Sequence, residues 1–200
     1  MDTDNEPLVL LSRALDQAGD LIARTQREMA ELPTPCRSWT VADLVTHLVN
    51  DLGNFATAVK GGKPDWSKAG ERIAGDWAPA FATGRQELDE AWASADLQAE
   101  VATPGGSGAA LVTRADQQIA ELAVHTWDIA RATGKSEDLD ASVAEYGLVW
   151  AKQNLRPQFR GPEDEGKGFG PEVPVPDDAP IYERLAGWFG RDPQWSGKAT

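Results

Sequence analysis

Residues 7–32, PLVLLSRALDQAGDLIARTQREMAEL, place Leu8, Leu11, Leu15, Ala18, Ile22, Thr25, Met29 and Leu32 at alternating spacings of three and four. An α-helix turns once in about 3.6 residues, so these side chains form one stripe of a helix. Pro7 suits its first turn, and Pro33 with Pro35 stops it. Gly19 interrupts the solvent side of the stripe. That favours core packing in a helical bundle over a two-chain coiled coil.

Working outward, the same periodicity recurs. Thr40 and Asp43 have the spacing of a reciprocal cap ahead of a second helix, whose apolar face is Val41, Leu44, Val45, Leu48, Leu52, Phe55 and Val59. Gly61-Gly62 ends it. A third helix is expected from about Trp77 to Trp92. Residues 95–112, with Pro104-Gly105-Gly106 inside, read as a long connection with short extended pieces. Thr113 and Asp116 repeat the capping spacing ahead of a fourth helix with Ile119, Leu122, Thr126 and Ile129 on its core side and Gly134 past its end. A fifth helix is expected over 141–155. Residues 156–180 are rich in Gly and Pro, carry the acidic cluster Glu163-Asp164-Glu165, and read as a surface wrap or loop. A short helix over 180–189 closes the series. The expected class is all-α: one domain over 1–200, with a four-helix bundle over about 7–155 and additional short carboxy-terminal helices.

Composition narrows the function. The 200 residues carry 19 Lys and Arg against 32 Asp and Glu, a formal net charge of -13. That balance repels a phosphate backbone or an anionic membrane surface, so neither nucleic acid nor membrane is an expected partner. One cysteine, Cys36, excludes an internal disulfide framework and fits a reducing compartment. With no signal-peptide pattern and no apolar run of spanning length, a cytoplasmic location is expected.

There are only two histidines, His47 and His125. At 100° per residue each falls on the flank of its helix's apolar stripe, where a side chain points into the seam between packed helices. Glu121 lies one turn before His125 on the same face, and Asp128 continues that edge; Asp51 sits one turn beyond His47. Two imidazoles and one carboxylate from facing helices form a set that can hold a divalent metal with open positions. The same spacing also fits a solvated Glu beside a hydrogen-bonded His at a bundle edge. Asp128 and Asp51 read either as carboxylates supporting metal-bound imidazoles or as capping and surface contacts. Cys36 reads as packing rather than as a fourth ligand. Arg85 and Arg131 read as surface ion-pair partners rather than contacts to an anionic substrate. Of the eight tryptophans, Trp39, Trp77, Trp92, Trp127 and Trp150 read as core anchors whose indole N–H groups find partners at the bundle edge.

Three stretches carry a resemblance. Pro33-Thr34-Pro35-Cys36, Trp39-Thr40-Val41, Leu44 and His47 form the first, and Glu121 through Ala130, with His125-Thr126-Trp127-Asp128, the second. The third comprises Phe169 through Pro176 and Gly190-Arg191-Asp192-Pro193 with Trp195. In this order they resemble the mycothiol-dependent maleylpyruvate isomerase branch of the DinB-like superfamily, and the tail resembles its small actinobacterial metal-binding members.

The resemblance implies a DinB-like four-helix bundle. It also implies a divalent metal, Zn2+ by preference with Ni2+ or Fe2+ as alternatives, held by His47, Glu121 and His125. It implies mycothiol as co-substrate and a small-molecule thiol and an electrophile as partners, in a monomer or homodimer. The isomerase proper is expected to carry a further carboxy-terminal domain, for which 200 residues leave no room. The expected function is a metal-dependent mycothiol S-transferase or isomerase-like enzyme that activates a thiolate on the metal. The alternatives are a non-catalytic metal-binding or stress-response protein and a hydrolase using metal-bound water.

Overall fold

The structure is a computed structural model and describes residues 6–36, 38–66, 70–102, 108–135, 139–161 and 169–197. Within them the helices are α1 (Glu6–Arg24), α2 (Val41–Val59), α3 (Trp77–Ala93), α4 (Thr113–Thr133), α5 (Ala141–Asn154) and α6 (Ile181–Trp188). A short antiparallel pair, β1 (Glu100–Ala102) and β2 (Gly108–Ala110), accounts for the extended pieces of the 95–112 connection. Its Pro104-Gly105-Gly106 lies outside the described residues, as does the acidic cluster at 163–165. The all-α class and the DinB-like bundle are as expected.

α1 packs on α3 and α4, and α2 packs on the same two helices from the opposite side, so α1 and α2 lie diagonally across the bundle. α5 covers the outer face of α4, and α6 packs on both α5 and α4. α4 is therefore central. Its buried residues run almost continuously from Ala115 to Ala130 rather than along the single Ile119–Ile129 stripe expected from periodicity. Gly147 permits the close α4–α5 approach, since a Cβ there would lie 3.2 Å from the Ala120 Cα. The core between the layers includes Leu15, Ile22, Leu44, Leu52, Phe55, Leu88, Ile119 and Leu185, all fully buried. Each such side chain contributes about 1.5–3 kcal/mol through burial.

Two expectations for the first stripe are corrected. α1 stops at Arg24, eight residues short of Leu32, and residues Arg27–Met29 form a separate 3-10 turn. The Thr25 hydroxyl donates to the Leu21 carbonyl at 2.8 Å, and Gln26 turns extended. Arg27 is then drawn to α3, where its guanidinium lies 4.4 Å from the Trp77 ring centre. Tertiary contacts thus override the local period. Gly19 does not face solvent: a Cβ there would lie 3.2 Å from Phe81 of α3, so it marks a helix seam.

The caps divide in the same way. Thr40 accepts from the Asp43 N–H, and the Asp43 carboxylate accepts from the Thr40 N–H, the capping box read from the sequence. The expected box at Thr113 is absent. Thr113 Oγ1 donates instead to the Ala110 carbonyl, and Asp116 accepts from the Tyr146 hydroxyl of α5. Gly134 takes the left-handed conformation (φ 71°) past the end of α4.

The carboxy-terminal stretch is fastened to the bundle. Gly190 adopts φ 81°, its N–H bonds the Gly187 carbonyl, and the Arg191 N–H reaches back to the Ala186 carbonyl. This Schellman turn ends α6. A Cβ at Gly190 would lie 2.7 Å from the Gly170 backbone, so the 169–176 segment and the turn meet without side chains between them. The consequence is that Arg191 points inward.

Candidate metal centre

The second helix supplies His47 and Asp51, the fourth supplies Glu121, His125 and Asp128, and the loop before α2 supplies Trp39 and Cys36. That loop is closed by hydrogen bonds. Thr34 is buried; its hydroxyl donates to the Trp39 carbonyl at 2.8 Å and accepts from the Cys36 N–H. The Val41 N–H bonds the Leu32 carbonyl, and the Ala42 N–H bonds that of Ala30. Trp39 is thereby held over the histidines. Its ring centre lies 4.8 Å from that of His47 and 5.7 Å, stacked, from that of His125.

The two imidazoles meet edge to face with centres 4.9 Å apart. One donor atom from each of His47, Glu121 and His125 lies within 4.8 Å of the others. His125 Nε2 is 3.5 Å from Glu121 Oε2, and its Nδ1 is 3.2 Å from Asp128 Oδ2. The Nδ1–H donates to Asp128, an assignment that follows from the hydrogen-bond network and leaves Nε2 facing Glu121 and His47. His47 Nε2 lies 3.3 Å from Asp51 Oδ2, but its orientation makes no hydrogen bond, so it is buried without a partner. A buried ring nitrogen without a partner carries an uncompensated desolvation cost.

Electrostatics bear on the same atoms. Burial, reinforced by the positive charge of His125, lowers the His47 pKa to about 4, so His47 is neutral at physiological pH. Burial also opposes charge on His125. The hydrogen bonds to Asp128 and Glu121 outweigh it and raise the pKa above the usual imidazole range. Burial, then the neighbouring Glu121 charge, raises Asp51 to about 7. Two nitrogens and one oxygen converge beside a neutral His47 and the carboxylate of Glu121. The donor set fits a divalent metal.

Arg191 completes the support. Its Nη2 donates to Asp128 Oδ2 at 3.1 Å and to Cys36 Sγ at 3.2 Å, and its Nη1 donates to the Phe189 carbonyl. Asp128 and Arg191 are both buried. Burial disfavours charge on each, but the guanidinium, together with His125, holds the Asp128 carboxyl below its ordinary range. Outside this pair, His47 and Glu121 open onto a cleft of about 500 Å³ whose walls include Trp39, Phe55, Trp66 and Gln117, while His125 stays buried behind them.

Residues 11–130 match the family model of the mycothiol maleylpyruvate isomerase N-terminal domain. This chain belongs to that family. An uncharacterized protein found in two strains of Mycobacterium tuberculosis is 31% identical over 201 residues, covering 93% of this chain and 98% of its own. The crystal structure of the mycothiol-dependent maleylpyruvate isomerase superimposes with a TM-score of 0.65 at 16% identity, over 98% of this chain and 95% of that one. A histidine-to-alanine mutant of the same enzyme superimposes with 0.63 at 14% identity and the same coverage. The likeness at these identities is one of fold. It spans nearly all of the isomerase chain.

Within this family member, helical spacing puts His47 with Asp51 on one edge and Glu121, His125 and Asp128 on another, and the structure brings the two edges together. It places Asp128 as a hydrogen-bond partner of His125, not as a cap or surface contact. Arg85 pairs with Asp16 and Asp89 on the surface, as expected. Among the described residues Arg131 forms no ion pair; it donates to the Pro193 and Trp195 carbonyls and so holds the tail. Trp77 and Trp92 are buried, but their indole N–H groups have no hydrogen-bond partner among the described residues, contrary to expectation. Arg191 was missed as a site residue. The only signal for it was its place in the Gly190-Arg191-Asp192-Pro193 stretch. Trp39 stands at the site rather than as an anchor in the core.

Proposed function

We propose that this protein is a metal-dependent mycothiol S-transferase or isomerase-like enzyme, with His47, Glu121 and His125 as the metal ligands. The observation that carries the reading is the convergence of these three donors, two of which, His47 and Glu121, line an open cleft, with the buried His47 Nε2 without a hydrogen bond among the described residues. Membership of a family named for a mycothiol enzyme supports the choice of thiol. A divalent metal held there, zinc by preference, would stabilise a thiol as its thiolate, which is otherwise a minor species at neutral pH.

The protein's own groups prepare the site. Asp128 accepts the His125 Nδ1–H and so fixes the ring with Nε2 directed at the metal position. Arg191 balances the buried Asp128 charge, so the carboxylate remains an acceptor. Trp39 packs on both imidazoles and restricts their rotation. A divalent ion with two neutral imidazoles and one carboxylate carries a net charge of about +1, which one thiolate would neutralise in a partly buried seam. This balance favours an anionic sulfur ligand over water and so favours the thiol reading over the hydrolase.

The test is metal analysis of the purified protein and of His47→Ala, Glu121→Gln and His125→Ala, followed by cobalt substitution. The expected result is about one equivalent of metal in the parent, a sharp loss in each variant, and an intense near-ultraviolet sulfur-to-cobalt band on adding mycothiol. Stoichiometric metal in His125→Ala would overturn the ligand set. A cobalt spectrum unchanged by mycothiol would overturn the thiol reading.

A further inference from the structure

The cleft lined by His47 and Glu121 has a charge pattern that bears on what enters it. Arg72 is the only Lys or Arg among the described residues that line it. Each nitrogen of its guanidinium is engaged. Nε donates to Asp43 Oδ1 at 2.9 Å, Nη1 to Glu31 Oε1 at 2.7 Å, and Nη2 to Thr40 Oγ1 at 2.8 Å and Asp43 Oδ2 at 3.2 Å. One cation is thus shared by two carboxylates, and the planar fork that would grip a substrate carboxylate is turned onto the α2 cap instead. The remaining ionisable groups on the walls, besides His47, are the acids Asp51 and Glu121.

The other walls are aromatic. Trp39 closes one side, and Phe55 meets Trp66 edge to face with ring centres 5.0 Å apart. Phe55 is fully buried, whereas Trp66 is 46% exposed at the mouth. The volume, about 500 Å³, lies in the range of small-molecule sites. Once a thiolate has neutralised the metal site, no unshared cation of the described lining faces a second substrate. A carboxylate entering that space would lose its water and find neutral donors such as Gln117, but no unshared cation among the described lining residues.

We infer that the electrophile accepted by this site is uncharged and largely apolar, not a carboxylic acid anion. The inference rests on the thiol reading for its chemistry and on Arg72 and the aromatic walls for its selectivity. For an unsaturated carbonyl acceptor, the sulfur electron pair forms the new C–S bond. The alkene π pair moves to the adjacent carbon, which takes up the proton released by the thiol. No oxidant or reductant is consumed.

The experiment uses two fluorinated probes of nearly equal shape, neutral 4-fluorobenzamide and anionic 4-fluorobenzoate. Each is titrated by ¹⁹F NMR into the zinc-loaded protein with and without mycothiol. With mycothiol present, the amide should bind at least about tenfold more tightly than the carboxylate. Arg72→Gln should leave benzoate binding unchanged, and Trp66→Ala should weaken the amide. Glu31→Gln, which releases one arm of Arg72 at an exposed position, should narrow the preference. Benzoate binding as tightly as the amide, or a tenfold loss of benzoate binding in Arg72→Gln, would overturn the inference. A titration indifferent to mycothiol that keeps the amide preference would count against the thiol reading alone.

Discussion

The Arg191 guanidinium closes on the Asp128 carboxylate from 63 residues further along the chain, with Nη2 3.1 Å from Oδ2. Both groups are buried, and the same carboxylate oxygen lies 3.2 Å from His125 Nδ1. Removing the cation leaves a buried negative charge beside an imidazole whose tautomer that charge sets.

Arg191→Met is therefore expected to destabilise the fold by about 3–5 kcal/mol, the usual cost of stripping one partner from a buried ion pair. Urea unfolding of the metal-free protein measures it. In the Asp128→Asn background the same change should cost much less, because no unpaired charge remains. Equal costs in the two backgrounds would show that Arg191 acts through packing rather than through charge.

Gly190→Ala should be at least as damaging to the site as to the fold. The new Cβ meets the Gly170 backbone at 2.7 Å and the residue is held at φ 81°. The conformational strain alone is about 1–2 kcal/mol. Displacing the turn withdraws Arg191, so metal affinity should fall as well, measurable by competition with a zinc chelator. Unchanged affinity would separate the turn from the site.

Chelation should remove metal without removing helix. The apolar layers, not the ligand set, supply the core, so the far-ultraviolet helical signal should persist in the metal-free protein. Stability should drop only by binding linkage, about 2.7 kcal/mol when free metal stands at a hundredfold excess over Kd. Collapse of the helical signal on chelation would make the metal a structural element.

Asp43 carries a pH dependence of defined sign. The Arg72 hydrogen bond, then those from Thr40, outweigh partial burial and hold its carboxyl at about 2. A depressed carboxylate stabilises the fold above its unfolded value of about 3.9, and that contribution is lost as pH falls through the folded one. Asp43→Asn should thus lower the unfolding free energy read from urea titration at neutral pH by about 1 kcal/mol, and the gap should shrink in acid. A gap constant from neutral pH into strong acid would show that the carboxylate charge is not what matters.

What the sequence made legible was what helical geometry makes local. The spacing of His47 to Asp51, and of Glu121 to His125 and Asp128, puts each set on one edge whatever else the chain does. Facing of the two edges follows once both helices bury their apolar stripes. Arg191 and Trp39 reach the site differently. One depends on a left-handed glycine meeting another backbone, the other on a loop closed through Thr34, and neither contact has a periodic trace. α1 illustrates the opposite failure. Its stripe continues in the sequence to Leu32, yet Thr25 and the pull of Arg27 toward Trp77 end the helix at Arg24.

The central position of α4 has a consequence for hydrogen exchange. A helix packed against by α1, α2, α5 and α6 releases its amides only when several layers part, so its protection should approach that of global unfolding. The short β1–β2 pair, outside the helical layers, would open by smaller fluctuations. Glu121 and His125 therefore keep their mutual distance through such openings, and an ion bound as proposed would stay held at two points while the rest of the enclosure rearranges around it.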